Sequence, residues 1–502
     1  MRSKRLFANT IFALLFQIIV VVSGFIVPRL YLAAYGSEVN GLLRSIAQFI
    51  SIISFMDMGV GAVVQSAFYK PLADHDIVGI NEIASSATKF FERLGKILLV
   101  YIGALMIIYP LLAKTQFTYG YVASMVLVIG TESFAQYYFG MVDMLLLLAD
   151  QKGYVYYNIQ SLSIIFNVVT VAVIIHLGAD IRTVRFLAML LFLFRPIILR
   201  LYINKHYSIN RRTSYNEEPI KQKWNGFAQH LANVVLNSTD VVILTLFSTL
   251  ESVSVYSVYY MVVYGVKQLF AITSNGVQSL WGDMWAKREE DLLRKSFELI
   301  EWVFHSAVVF TYGCTCSLIV PFVIIYTKDI NDADYIVPVF AILISLAHGV
   351  HCLRLPYHIL IKAAGQYKET QNNYIWSALI NIVISVVSVR FIGLSGVAIG
   401  TLVAMFYQTV WMADYDHKHI LHLEMKGFWK LLIQDVFILL LGIMITKNIP
   451  FEQQTIWGWI VYAIVISVIW VLIILIINVI LHYSEINTLK QRAYDRFLRG
   501  KR

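Results

Sequence analysis

The sequence predicts an all-α polytopic membrane protein of about fourteen transmembrane helices, built as two parallel six-helix repeats plus two C-terminal helices. Three observations predict it. The chain is 58% hydrophobic and only 14% charged, with mean hydropathy +0.68, whereas roughly a quarter of residues in soluble domains are charged. Its apolar residues come in runs of about twenty, enough to cross a bilayer core. Its lysines and arginines alternate between rich and poor connecting segments, as expected where positive residues collect on the cytoplasmic side.

The apolar runs place spans near 9–33, 41–66, 91–113, 119–148, 154–177, 184–203, 226–247, 252–280, 299–326, 335–361, 372–391, 393–414, 428–446 and 455–481. The N-terminal apolar run is long and lacks a small-x-small cleavage site, so it reads as an uncleaved first span with a cytoplasmic start. With both termini inside, 29 of the 40 lysines and arginines fall in cytoplasmic segments and 6 in external loops, Arg185 at the edge of span six among the latter. Net charge +9 therefore reflects membrane topology rather than nucleic-acid binding.

The polar stretch 204–225, NKHYSINRRTSYNEEPIKQKWN, reads as a cytoplasmic linker. It separates an N-terminal lobe, 1–203, from a C-terminal lobe, 226–414, with 415–502 holding the last two helices and a basic tail. An internal echo supports the division. Asn158, Ser163 and Asn167 recur 214 positions later as Asn372, Ser377 and Asn381. Glu38 and Gln65 recur 213 positions later as Glu251 and Gln278. Six spans per copy start both copies on one side, giving parallel repeats, a known transporter plan with the substrate between halves.

The short loops hold no phosphate loop, nucleophile elbow or zinc-protease motif, so no enzyme activity and no cofactor is expected. Cys314, Cys316 and Cys352 fall inside spans and suggest no disulfide framework. His417, His419 and His422 match no zinc spacing, so no metal is assigned.

Charges at membrane depth need a protein or aqueous partner, because hydrocarbon penalises them by several kcal/mol. Arg29 and Arg44, on the first two spans, read either as snorkelling to headgroups or as lining a cavity. Lys267 lies too deep on span eight to snorkel easily. Tyr256, Tyr260, Tyr264, Lys267, Ser274 and Gln278 share one face of that span, an arrangement suited to a phosphate joined to a sugar. The bland reading is an interfacial tyrosine belt with one ion pair. Asp57, Glu132, Asp143 and Asp240 read as counter-ions to these cations or as proton carriers. His351, Arg354, His358 and Lys362 form a stripe on span ten, lining an inner vestibule or acting as a titrating gate.

The stretch Ala363 to Ala404, with Gly393, Gly396, Gly400 and Thr401 opening span twelve, resembles the polysaccharide exporters of the MATE-like superfamily of multidrug, oligosaccharidyl-lipid and polysaccharide exporters (MOP). The basic tail, long first span and YGSEVNGLLRSIAQFISIISFMDMGVGAVV fit the same family, and the resemblance covers essentially the whole chain. It implies a Wzx-like flippase moving a polyprenyl-diphosphate-linked oligosaccharide to the outer leaflet of the cell membrane. Lipid II flippases of this superfamily carry basic residues on helices one, two and eight, a role that maps onto Arg29, Arg44 and Lys267. Proline rather than an acid beside Arg29, and lysine on span eight, depart from the lipid II pattern and favour another glycan. Tyr260, Tyr264, Asp57, Asp240 and Arg354 complete the expected substrate site. Implied partners are the lipid-linked oligosaccharide and membrane lipid, with a polysaccharide polymerase and glycosyltransferases in the same assembly route. The rival readings are a MATE-type drug or cation antiporter, which needs an acidic cavity, and a membrane glycan polymerase or ligase, which needs a larger external loop.

Overall fold

The computed structural model describes residues 2–53, 60–113, 115–211, 238–451 and 455–482, with no strand among them. The helices are α1 (Arg2–Ile52), α2 (Val60–Ala73), α3 (Ile77–Leu112), α4 (Tyr119–Ala135), α5 (Met141–Ala149), α6 (Gly153–His176), α7 (Ile181–His206) and α8 (Ser238–Phe247). They continue as α9 (Leu250–Ala286), α10 (Glu290–Tyr326), α11 (Pro338–Leu353), α12 (Leu355–Ala363), α13 (Tyr367–Ile392), α14 (Leu394–Asp416), α15 (Lys426–Thr446) and α16 (Ile456–Leu481).

Ten helices among the described residues are long and apolar enough to cross a membrane. The difference from fourteen has local causes. Spans one and two run together as α1, broken only at Gly36, whose φ of 83° is left-handed. Span four is divided by a π-helical turn at Gln136–Gly140. The first half of span seven, like most of the 204–225 linker and the C-terminal tail, lies outside the described residues. In α9, the side chains of 271–275, Ser274 among them, are likewise not described. Span ten is divided at Arg354, between the end of α11 at Leu353 and the start of α12 at Leu355; Pro356 has no N–H with which to continue the helical hydrogen-bond ladder through this point.

Large apolar side chains stand exposed along these helices, including Val100 and Leu111 on α3, Phe166 and Val169 on α6, Val383 and Phe391 on α13, and Val461 and Ile476 on α16. In water such surfaces would drive aggregation. In a bilayer, lipid covers them and the backbone hydrogen bonds stay within each helix.

By contacts the chain forms two units, the first comprising 1–257, 329–333 and 389–394, the second 258–328, 334–388 and 395–502. In the first, α3 packs on α4, and α6 on α1 and α7. One of its cores joins Leu42, Ile46, Leu98, Tyr109 and Val126; another joins Val64, Phe68, Phe91, Leu145 and Leu199. In the second, α10 is central, packing on α11, α15 and α16, with Trp470 buried among Val309, Ile438 and Ile466.

The glycine series from the sequence has a structural use. Gly393 turns the chain between α13 and α14 at φ +55°. At Gly400 the two helices cross so closely that a Cβ would lie 2.0 Å from Ser385 Oγ. Asn381 bonds Thr401 across the same crossing at 3.0 Å. Asn381 and its repeat equivalent Asn167 are both buried.

Candidate anion-binding site

The second unit gathers cations where α9, α11 and α12 carry them. The i, i+4 spacing of Arg354, His358 and Lys362 places them on one face of α12. His351 sits one turn earlier, where its Nδ1 lies 3.0 Å from Arg354 Nη2. Lys267 on α9 interacts electrostatically with Arg354, His348, His351 and Cys352. Tyr260 stacks on Tyr264 at 5.7 Å and meets the His348 ring edge-on at 5.5 Å. Gln268 donates to the Tyr264 hydroxyl at 2.6 Å. The structure thus brings together Lys267, Arg354, Tyr260 and Tyr264, all named from the sequence.

Arg354 is the sharpest feature. It is 3% exposed. Its guanidinium meets His351 Nδ1 and, at 3.9 Å, the Met405 sulfur, while its Nε has no hydrogen-bond partner among the described residues. No carboxylate among the described residues bridges it. A buried cation is normally compensated by an acid. This one is surrounded by imidazole, thioether and further positive charge, so the local field favours an anion.

Sequence reasoning missed the neighbours on α14. Met405 touches Arg354, and Gln408, one turn on, is fully buried with neither amide atom hydrogen-bonded among the described residues. Buried amides are almost always paired, so Gln408 is a candidate polar contact for a ligand. Its only signal in the sequence is a glutamine inside an apolar run.

The first unit holds the other predicted residues. Arg29 is partly buried on α1 and Arg44 is exposed beyond Gly36. Asp240 is buried and accepts from the Tyr256 hydroxyl at 2.8 Å, which turns Tyr256 to a different partner from Lys267. Asp57 lies outside the described residues. The expected acid–cation pairing occurs, but through other arginines. Glu132 pairs with Arg185 at 3.2 Å. Arg185, expected in an external loop, lies within α7. Asp143, with no exposed surface, is held by Arg200 at 2.8 Å and by Arg211. Burial pulls the Arg211 guanidinium below its ordinary value, with Asp143 opposing. Asn81 and Ser85 on α3 bond the Asn210 and Arg211 backbone, fixing the start of the polar stretch to this unit. In the second unit, His417, expected in a loop, lies in a π-helical turn at the end of α14 and is buried.

No family model matches the sequence, and no curated protein matches it. Solved structures do. The lipid II flippase MurJ, in an inward closed conformation, aligns with TM-score 0.69 at 14% identity over 95% of this chain and 99% of its own. An inward-facing multidrug resistance MATE family transporter of the MOP superfamily aligns with TM-score 0.58 at 13% identity, over 83% of this chain and 95% of its own. A MATE in the bent conformation aligns with TM-score 0.53 at 15% identity, over 86% and 96%. At these identities the likeness is one of fold, and the chain has the MATE-like membrane fold that its sequence resemblance implied.

Proposed function

We propose that the protein is a flippase, not an enzyme. It moves a polyprenyl-diphosphate-linked oligosaccharide from the cytoplasmic to the outer leaflet of the cell membrane by alternating access, for surface polysaccharide assembly. The observation that carries this reading is Arg354, a buried guanidinium that no carboxylate among the described residues bridges, in the electrostatic neighbourhood of Lys267 and of polar and aromatic side chains. A diphosphate supplies the missing negative charge, and charge-assisted bonds to arginine are the strong ones. Tyr260, Tyr264 and Gln408 suit the sugars, which present hydroxyls and apolar ring faces. The fold's occurrence in a lipid II flippase supports a lipid cargo.

Within this reading 1–203 and 226–414 are the working lobes, 204–225 is their cytoplasmic linker, and 415–502 adds two helices and a basic tail. Both termini are cytoplasmic. Arg29, Arg44, Asp57 and Asp240 remain in this reading as further candidate substrate contacts. A polymerase and glycosyltransferases act before and after the flip. An inside-negative potential favours outward movement of an anion by ~2.3 kcal/mol per charge per 100 mV, so two phosphate charges gain roughly 4.6 kcal/mol.

The drug-antiporter alternative needs an acidic site for a cation, whereas the sugar-facing candidates here surround positive charge. Lys267→Ala and Arg354→Ala test the proposal together. Both variants are expected to accumulate in the membrane and to abolish export of lipid-linked glycan. Normal surface glycan in either one removes that residue from the site, and normal glycan in both overturns the reading.

A further inference from the structure

α12 has a second face. Tyr357 lies off the Arg354–His358–Lys362 stripe, and its hydroxyl donates to Glu301 on α10. Glu301 is itself buried. Beside them stands Asp416, at the end of α14. It has no exposed surface, and neither carboxylate oxygen has a hydrogen-bond partner among the described residues. The titratable groups facing Asp416 are Glu301, Tyr357 and, on its own helix, Tyr415. Glu301 also faces His305, His417 and the exposed Glu298. His305 Nδ1 lies 2.5 Å from Asp435 Oδ2 on α15, and both residues are buried. With Asp435 ionised, Nδ1 carries the hydrogen. The opposite nitrogen, Nε2, is buried with no partner among the described residues, ready to accept a proton.

An ionised carboxylate with no donor is among the most costly groups to bury. A second carboxylate facing it raises that cost, and close acid pairs share a proton instead. A metal cation would need several oxygen or nitrogen ligands. Among the described residues, no group of three or more histidines, cysteines or acids is placed to hold one.

We propose that Asp416 and Glu301 form a proton-binding site in the second unit. The proton sits on Asp416, with Glu301 as its acidic neighbour. Tyr357 holds Glu301 in place, and the His305–Asp435 pair, which Glu301 also faces, is the next group able to take a proton. In a transporter this site would let cargo movement draw on a proton gradient. That coupling rests on the flippase reading; the proton site itself does not.

Infrared spectroscopy of the purified full-length protein in lipid tests the site without any cargo. At neutral pH a carboxylic-acid carbonyl band is expected. It is lost in Asp416→Asn, shifted in Glu301→Gln, and unchanged when sodium is replaced by a bulky organic cation. An unaltered band region in Asp416→Asn means that the carboxylate is ionised, and overturns the proposal. A band that vanishes on adding sodium assigns the site to a metal cation and overturns it too. Should Asp416→Asn fail to accumulate, Glu301→Gln decides alone, because an unshifted band there means that the protonated carboxyl does not face Glu301, and overturns the proposal. Failure of glycan export assays would leave this result standing, and the reverse holds equally.

Discussion

The two units treat buried charge differently. The first cancels it on the spot, with Asp143 between Arg200 and Arg211 and Glu132 against Arg185. The second sorts it by sign. On one face of α12 stand Arg354, His358 and Lys362, with Lys267 opposite on α9; the other face looks towards Glu301, Asp416 and Asp435. Paired charges hold helices together and leave no field for a ligand. Sorted charges destabilise the protein that carries them, because Arg354 and Asp416 are desolvated with no bridging opposite charge among the described residues. That cost would be offset if the proposed anionic cargo stands on one face and the proposed proton on the other. On that reading, pairing marks structure and segregation marks function.

The largest test of that contrast sets two aspartates against each other. Asp143→Asn leaves Arg200 and Arg211 facing one another in a buried place and should cost about 3 kcal/mol, the scale for breaking a buried pair. Asp416→Asn loses no ion pair and should leave stability nearly unchanged. Thermal unfolding of the two variants in detergent checks both, and equal losses would end the distinction between the units. Next comes the frame that carries Met405 and Gln408. Gly400→Ala would push a methyl into Ser385 Oγ and, at 2.8 Å, its backbone nitrogen. About 2 kcal/mol of overpacking is expected, together with weakened export, because α14 positions the contacts of Arg354. Glu132→Gln is milder. It keeps an amide facing Arg185 and loses only the charge, so about 1.5 kcal/mol is expected in the same measurement.

Much of the fold was legible because a bilayer imposes length and apolarity on each span. The expected span at 372–391 became α13 at Tyr367–Ile392, and that at 455–481 became α16 at Ile456–Leu481. What stayed hidden was pairing. Lys267 and Arg354 stood out as charges in apolar runs, and their proximity followed from two long helices in one unit. Glu301, His305 and Asp435 lie in equally apolar surroundings, yet their meeting depends on α10, α12 and α15 packing together, which no local periodicity encodes. Arg185 looked external because it follows a loop by only a few residues. The helix begins earlier, at Ile181, and one extra turn carries the guanidinium to Glu132.

The smallest expected effect has the most telling sign. Arg354→Met replaces a guanidinium that no described carboxylate compensates by a shorter, flexible apolar side chain that matches the arginine's aliphatic stem and adapts to irregular space. No carboxylate among the described residues loses a partner and only the contact to His351 Nδ1 is given up, so relief of desolvation dominates and stability should rise by about 1 kcal/mol. Arg200→Met in the first unit should do the reverse, because Asp143 would keep only Arg211. A higher unfolding temperature with lost glycan export would show Arg354 maintained against the interest of the fold. A clear loss of stability in Arg354→Met would instead make this arginine structural, and the positive face of α12 would then be one more packed surface.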